Sequence, residues 1–176
     1  MRTPRLRACG VTPVEQFIQL AKDGGAGVVC TSMVDEDVRL FYRQPWVMVG
    51  SDGGIGVRHP RGAGTFPRVL GRYVRNQRWL TLPEAVRKMT SMPADRLHLG
   101  DRGRIAKGMV ADLVALNPAT VIDRSTFNDP TALPVGIQKV FVAGELVWDN
   151  GKPVMTSPRR PGRVLVTKAP PVSPAP

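Results

Sequence analysis

The chain has 176 residues, of which 42% are hydrophobic, and a formal net charge of +11 at pH 7. This length gives room for one domain, or for one small domain with an appendage. No apolar run approaches the roughly 18 residues that a membrane-spanning helix needs, and two cysteines are too few for a disulfide scaffold. The composition therefore predicts a cytoplasmic protein with no membrane segment.

The positive charge is concentrated at the two ends of the chain. Residues 1–10 carry three basic groups and residues 154–176 carry four, with no acid in either range, which leaves +4 for residues 11–153. Tails of this kind, the second one rich in proline, are typical of disordered and solvated segments. We expect a basic N-terminal extension over 1–10 and a basic Pro-rich tail over 154–176, and charge alone does not favour nucleic acid as a partner.

The first predicted element is a helix that begins after Thr12. Thr12 is the expected N-cap, Pro13 occupies the first helical position, and Glu15 completes a capping box. Gly24 is a natural stop for this helix. The apolar stripe of the helix consists of Val14, Phe17, Ile18 and Ala21.

Two buried strands are predicted on either side of a second helix. The apolar runs AGVVCTSM (26–33) and WVMVG (46–50) are typical of buried strands, and DEDVRLFYRQ (35–44) is typical of a short helix that ends at Pro45. Two strands joined by a helix form a βαβ unit, which implies a parallel sheet.

Two further helical segments are predicted before residue 99, where the sequence pattern changes from helical to strand-like. GTFPRVLGRYVRNQ (64–77) has Thr65 as its expected N-cap, and TLPEAVRKM (81–89) has a capping box made by Thr81 and Glu84. Pro93 is expected to break this second run. The side chains expected to face inward from the first segment are Val69, Leu70, Tyr73 and Val74.

From Gly100 onward the sequence predicts short strands separated by turns. Glycine, Asn-Pro and Asn-Gly interrupt brief apolar runs at short intervals. VFVAGELVWDNGKPV (140–154) predicts a hairpin that turns at Ala143-Gly144, with a further turn at Asn150-Gly151.

One internal segment is rich in arginine. Residues 58–78 contain six arginines and no acid, and Arg68, Arg72 and Arg75 have the spacing of a single helix face. We favour a solvated helix face. The alternative is a face that meets an acidic partner, in this chain or another. A basic interaction or nucleic-acid-binding protein that uses this segment and the tails therefore stays open as an alternative function.

A single acid follows the second apolar run, in VMVGSDGG (47–54). Asp52 followed by glycine is a common turn pattern, which is one explanation for its position. At the C-terminal end of a parallel strand, the same residue would stand where α/β enzymes keep catalytic groups. The residues alone leave both explanations open.

Four stretches resemble the C-terminal third of the N-acyl-D-amino-acid deacylases, metal-dependent amidohydrolases with a (β/α)8 barrel and a small β-sandwich. They are VMVGSDGG, RHPRGAGTFPRVLGRYVR, LPEAVRKMTSMPADRLHLGDRGRIAKGMVADLVALNP and KVFVAGELVWDNGKPV. The resemblance covers roughly residues 11–165 and implies an α/β fold. Residues 11–98 would supply the last two strands and helices of the barrel, and residues 99–153 part of the β-sandwich.

The resemblance also implies roles for three residues. Asp52 matches the family's catalytic aspartate at the end of the eighth strand, where a carboxylate can take a proton from a metal-bound water and give it to the departing amine. Arg61 matches the arginine that holds the substrate's carboxylate, a task suited to its planar fork; a loop arginine that ties strand to helix is the alternative. His59 is assigned to substrate binding beside it, with ordering of the loop as its alternative role.

The resemblance implies zinc in the complete enzyme, but this chain offers no ligand set for it. The family's metal ligands lie at the ends of earlier barrel strands, and a whole barrel needs about 250 residues. We therefore expect a C-terminal fragment, inactive alone, of an enzyme that hydrolyses the amide bond of small N-acyl-D-amino acids. Open strand edges predict an upstream chain that completes the barrel, or self-association; an inactive remnant is a third hypothesis.

Overall fold

The computed structural model describes residues 10–25, 32–54, 56, 58–154 and 160–166. The chain divides into two compact units, Met1–Val34 and Asp35–Pro176. Nearly all of the predicted extension, most of the Pro-rich tail and most of the predicted strand 26–33 lie outside the described residues. None of the described helices has the length and apolar character needed to cross a membrane.

The first unit contains helix α1, Pro13–Lys22, which confirms the first predicted element. Thr12 Oγ1 accepts a hydrogen bond from the Glu15 N–H at 3.2 Å, and the Glu15 carboxylate accepts one from the Thr12 N–H at 2.7 Å. These bonds to Thr12 hold the pKa of Glu15 below its ordinary value. The apolar stripe of this helix is exposed within the described residues, most of all at Val14 and Phe17.

Among its described residues, the second unit begins with four α-helices and one π-helix. The predicted second helix is confirmed as α2, Asp35–Arg43. The others are α3 (Arg61–Arg68), the π-helix (Val69–Asn76), α4 (Leu82–Met89) and α5 (Ser91–Arg96).

Two of the predicted helix boundaries are wrong. Helix α3 begins at Arg61, not after Thr65, because Pro60 has helical φ and ψ of −52° and −28° and starts the turn. Thr65 lies inside the helix and its hydroxyl donates to the Arg61 carbonyl at 2.8 Å. The later run breaks at Thr90, whose φ and ψ are −130° and −86°, and Pro93 lies in the first turn of α5. A missing N–H costs nothing in a first turn.

The capping box of α4 is confirmed. The Glu84 carboxylate accepts hydrogen bonds from the Thr81 N–H at 2.8 Å and from the Thr81 hydroxyl at 2.7 Å. These bonds hold the pKa of Glu84 below its ordinary value.

The predicted buried strand WVMVG is wrong. Residues 47–50 form no strand, and the Val49 N–H donates to the carbonyl of Lys88 in α4 at 3.1 Å instead of to a neighbouring strand. Val49 is buried, whereas Trp46 is 69% exposed. The apolar composition of WVMVG predicted burial on both faces, but the segment is buried on one face only. A parallel strand needs a partner alongside it, and in the described part of the chain no parallel pair and no βαβ unit is formed.

The sheet is antiparallel, with strand order β1-β2-β3-β4. Both predicted turns are confirmed. Ala143 and Gly144 have φ of 49° and 85°, and Asn150 and Gly151 have φ of 44° and 90°, the left-handed pairs that tight hairpins require. The strands are β1 (Leu113–Leu116), β2 (Ile137–Val142), β3 (Glu145–Asp149) and β4 (Lys152–Pro153).

The core lies between the helices and the loop that follows β1. Val69 and Leu70 are buried, and Tyr73 and Val74 pack beside them, as their spacing predicts. Within the described residues, the remaining buried members of this cluster are Val49, Leu80, Ala85 and Val121.

The arginine-rich face meets acids of this same chain. Arg68 donates to Asp123 Oδ2 from Nε at 2.8 Å and from Nη2 at 2.6 Å, and Arg72 lies 2.9 Å from Asp35 Oδ2. The hydrogen bond to Asp123 raises the pKa of Arg68. Arg75 donates to two backbone carbonyls of the loop after β1. The solvated-face interpretation is therefore wrong, and the alternative of an acidic partner is confirmed.

An aromatic cluster connects α2 to the π-helix. The ring centroids of Tyr42 and Tyr73 are 5.2 Å apart, and Trp79 stacks on Tyr73 at 4.6 Å. Burial raises the pKa of Tyr42 to about 12, and burial also raises that of Tyr73. The folded chain therefore holds Tyr42 neutral at pH values where the unfolded chain ionises it.

Alkaline pH is expected to weaken the fold through Tyr42. Because the folded-state pKa is raised, the contribution is complete below pH 10 and is lost as the pH rises from 10 to about 12. The loss should reach up to about 2 kcal/mol, measured as the fall in free energy of unfolding by urea between pH 9 and pH 11.5. Tyr42→Phe should remove most of this difference; an equal loss in both chains would contradict the prediction.

Candidate functional site

The loop 50–54 and the first turn of α3 bring two predicted site residues together. Asp52 Oδ2 lies 3.0 Å from Arg61 Nη1. The Asp52 side chain is 83% exposed and that of Arg61 is 42% exposed, so the pair faces solvent. A carboxylate and a guanidinium thus stand side by side where a small molecule can reach both.

The glycine at position 53 allows this approach. A Cβ on Gly53 would lie 2.8 Å from the Gly62 Cα, closer than real Cβ atoms come, so the loop can lie against the helix only with glycine there. Asp52 itself has a φ of 46°, in the left-handed region that aspartate adopts more readily than most residues. The backbone is therefore constrained at Asp52 by its positive φ and at Gly53 by the close approach to α3.

His59 orders the start of α3. Its Nδ1 accepts the N–H of Arg61 at 3.1 Å, which satisfies one of the amides at the helix N-terminus. The imidazole ring meets the ring of Phe127 edge-on, with centroids 5.1 Å apart. These contacts match the alternative role for His59, ordering of the loop; its contact with substrate stays a prediction.

Ser125 supports the same turn, and the sequence analysis missed it. Ser125 is 2% exposed and its hydroxyl donates to the Pro60 carbonyl at 2.9 Å. A Cβ on Gly64 would overlap Ser125 Oγ. No motif marks Ser125, and Gly64 in GAGTFPR is the one sequence signal of a close approach at this point.

Lys88 is the second residue that sequence reasoning missed. It is 4% exposed, and its ammonium group donates to the carbonyls of Gln44 and Val47. Lys88 follows the buried Ala85 by three positions, and this inward-facing spacing is the signal that could have found it.

The exposed ion pair between Asp52 and Arg61 is weak enough for a small anion to open it. Ion pairs of this exposure contribute about 0–1 kcal/mol, so a carboxylate on a small molecule can displace Asp52 from Arg61 at little cost. The carboxylate of Asp52 can then accept a proton, and the guanidinium can bind an anion through parallel hydrogen bonds.

A separate cavity of about 460 Å³ lies between the π-helix and the residues after Val121. Its lining includes Arg68, Arg72, Asp123 and Ser125, and none of the three predicted site residues. Two of the three arginines that line it, Arg68 and Arg72, already bind carboxylates.

The described residues do not form a zinc site by themselves. Across these ranges no three His, Cys, Asp or Glu side chains group closely enough to hold a metal ion. The imidazole nearest to Asp52 in sequence, that of His59, already uses Nδ1 for a backbone amide.

The sequence matches the amidohydrolase family over residues 6–148. The chain is 44% identical over 142 residues to the N-acyl-D-glutamate deacylase of Alcaligenes xylosoxydans xylosoxydans, an alignment that covers 80% of this chain and 28% of the relative. The chain therefore spans a little over a quarter of this relative's length.

Two solved structures agree with this match. The N-acyl-D-glutamate deacylase of Bordetella bronchiseptica, in complex with zinc and a phosphonate mimic of the tetrahedral intermediate, is 43% identical with a TM-score of 0.65, over 68% of this chain and 26% of that one. A D-aminoacylase described with a binuclear metal center is 42% identical with a TM-score of 0.67, over 70% of this chain and 26% of that one. The family match over residues 6–148 includes Asp52 and Arg61.

Proposed function

Because the chain belongs to the amidohydrolase family, we propose that it is the C-terminal part of an N-acyl-D-amino-acid deacylase and supplies Asp52 and Arg61 to the active site. The observation that carries the proposal is the 3.0 Å contact between these two exposed side chains. It supports a site in which one group handles protons and the other binds the substrate's carboxylate.

Hydrolysis of an amide needs a base and then an acid at the same place. Water adds to the carbonyl carbon and loses a proton, the C–N bond breaks, and the leaving nitrogen gains a proton. The Asp52 carboxylate can take the proton from water and return it to the amine. The zinc that the solved deacylase holds would be bound by residues outside this chain, since the described residues do not fit it.

Arg61 links substrate binding to the state of the base. When a substrate carboxylate takes over the Arg61 guanidinium, the Asp52 carboxylate loses the cation it pairs with before substrate arrives. This exchange makes Asp52 available for proton transfer when substrate is bound. Ser125 and His59 form hydrogen bonds to the turn that carries Arg61.

The remaining architecture is part of the same proposal. We place residues 11–98 in the C-terminal part of a (β/α)8 barrel and residues 99–153 in a small β-sandwich, between the basic extension and the Pro-rich tail. Residues 47–50, which form no strand in this chain, would become a barrel strand only beside strands of the upstream part. Two uncovered apolar surfaces support this: the exposed stripe of α1, and a sheet in which no described strand residue is buried. The chain would then need an upstream segment as its partner.

A two-piece assembly tests the proposal. This chain is co-expressed with the part of the Alcaligenes N-acyl-D-glutamate deacylase that it does not match, and release of D-glutamate from an N-acyl-D-glutamate is measured with added zinc. We expect activity only when both pieces and zinc are present, and none with either piece alone or with the L-enantiomer. Two pieces that co-purify with zinc but do not hydrolyse the substrate would contradict the proposal.

The comparisons do not support the alternative of a basic nucleic-acid-binding protein. That alternative would use the arginine-rich segment 58–78 and the basic tails, and two arginines of this segment, Arg68 and Arg72, are bound to carboxylates of this chain. We therefore retain deacylation as the one proposed function.

A further inference from the structure

Lys88 is a buried lysine whose ammonium group donates hydrogen bonds to backbone carbonyls. It is 4% exposed, its Nζ donates to the Val47 carbonyl at 2.8 Å and to the Gln44 carbonyl, and among the described residues no carboxylate forms an ion pair with it. Burial lowers the pKa of its ammonium group.

Burying the ammonium group of Lys88 has a free-energy cost. The two carbonyls that it contacts show which part of the fold it stabilises. Removing a charge from water is unfavourable unless hydrogen bonds replace the lost solvent. Gln44 follows directly after the last residue of α2, where unpaired carbonyls and the helix dipole favour a cation. A methionine would fill the same space without this cost, but would leave both carbonyls without Lys88 as donor.

Three hydrogen bonds connect Lys88 to one short segment. In addition to the two from its ammonium group, its own carbonyl accepts the N–H of Val49 at 3.1 Å. Residues 47–50 form no strand, so sheet hydrogen bonds do not hold this segment. Val49 is buried, and Asp52 follows only three residues later.

We infer that Lys88 is a positioning residue that holds residues 44–49 and thereby sets the place of Asp52 against Arg61. The inference rests on the proposed function for its catalytic meaning. Lys88 touches neither Asp52 nor Arg61 and acts on them through the backbone between Val47 and Asp52.

The test uses the side-chain NMR signal of Arg61 in the full chain, which needs no catalysis. The Nε–H signal of Arg61 is assigned with Arg61→Lys, and Asp52→Asn gives the displacement that follows from loss of the carboxylate. We expect Lys88→Met to move the signal by at least half of that displacement, and Lys88→Arg, which keeps the charge and the donors, to move it less. Lys107→Met, at an exposed lysine, is the matched control and should not move it.

Two results would overturn the inference. One is an Arg61 signal that stays at its wild-type position in a folded Lys88→Met chain. The other is a Lys88→Met chain that has lost all dispersed amide signals, since Lys88 would then support the whole core and not this segment.

The two-piece enzyme separates this inference from the proposed function. If the assembly is active, Lys88→Met should lower kcat on the order of 10- to 100-fold, because small displacements of a catalytic group are costly, and Lys107→Met should leave it unchanged. A kcat of Lys88→Met equal to that of the wild type would show that Lys88 does not position Asp52 for catalysis. If no assembly is active, the proposed function fails while the Arg61 signal still decides whether Lys88 positions Asp52.

Discussion

Replacing Asp52 with asparagine in the two-piece enzyme is expected to lower kcat by about 10²- to 10⁴-fold, the usual contribution of a general acid–base residue. Asparagine has the same shape and tolerates the left-handed backbone, whose φ is 46° at this residue. It lacks a carboxylate that can accept a proton. The loss should therefore be chemical, with the loop kept in place, and steady-state hydrolysis of an N-acyl-D-glutamate measures it.

We expect the KM of Asp52→Asn to fall, whereas a variant that simply binds substrate less well would have a raised KM. Without Asp52 as a competing partner, Arg61 is open to the substrate's carboxylate, so KM is expected to fall by up to about fivefold. Asp95→Asn is the matched control, because Asp95 is also an exposed carboxylate paired with an arginine, at 2.6 Å from Arg104. A kcat for Asp52→Asn within twofold of the Asp95→Asn value would rule out the catalytic role.

Gly71→Ala is expected to destabilise the chain by about 3 kcal/mol, at the upper end of the cost of overpacking. A Cβ on Gly71 would lie 2.9 Å from both Cα and Cβ of Ile122, and closer still to the Val121 carbonyl oxygen. The obstacle is largely backbone, which cannot rotate away. The π-helix and the segment that Arg68 and Arg75 bind would have to separate.

The free energy of unfolding by urea measures this effect. In a helix with open space, alanine in place of glycine stabilises by roughly 0.5–1 kcal/mol, so the sign of the change is itself informative. Gly100→Ala is the control, because no atom lies within 4 Å of the Cβ it would add, and its effect should stay within about 0.5 kcal/mol. Equal stability of Gly71→Ala and Gly100→Ala would show that the π-helix is not packed closely on the loop after β1.

The sequence by itself determined the features that depend on residues close together in the chain. Thr81 and Glu84 form a capping box because donor and acceptor are three residues apart, whatever lies around them. The chain turns at Ala143-Gly144 because glycine adopts positive φ at no steric cost, and Ala143 before it is held at a φ of 49°. Asp52 and Arg61 were singled out from short motifs that resemble those of a known family; the structure places them 3.0 Å apart, and their roles stay a prediction.

Only the tertiary structure decided what depends on residues far apart. Arg68 pairs with Asp123 across 55 positions, so no local pattern could separate a paired helix face from a solvated one. The run WVMVG has the composition of a strand, but a strand forms only beside another strand that shares its hydrogen bonds. Here the carbonyl of Lys88 accepts the Val49 N–H instead. Local hydrogen bonds are set by covalent spacing, whereas distant partners are chosen by packing, and this is why Lys88 and Ser125 became visible only in the fold.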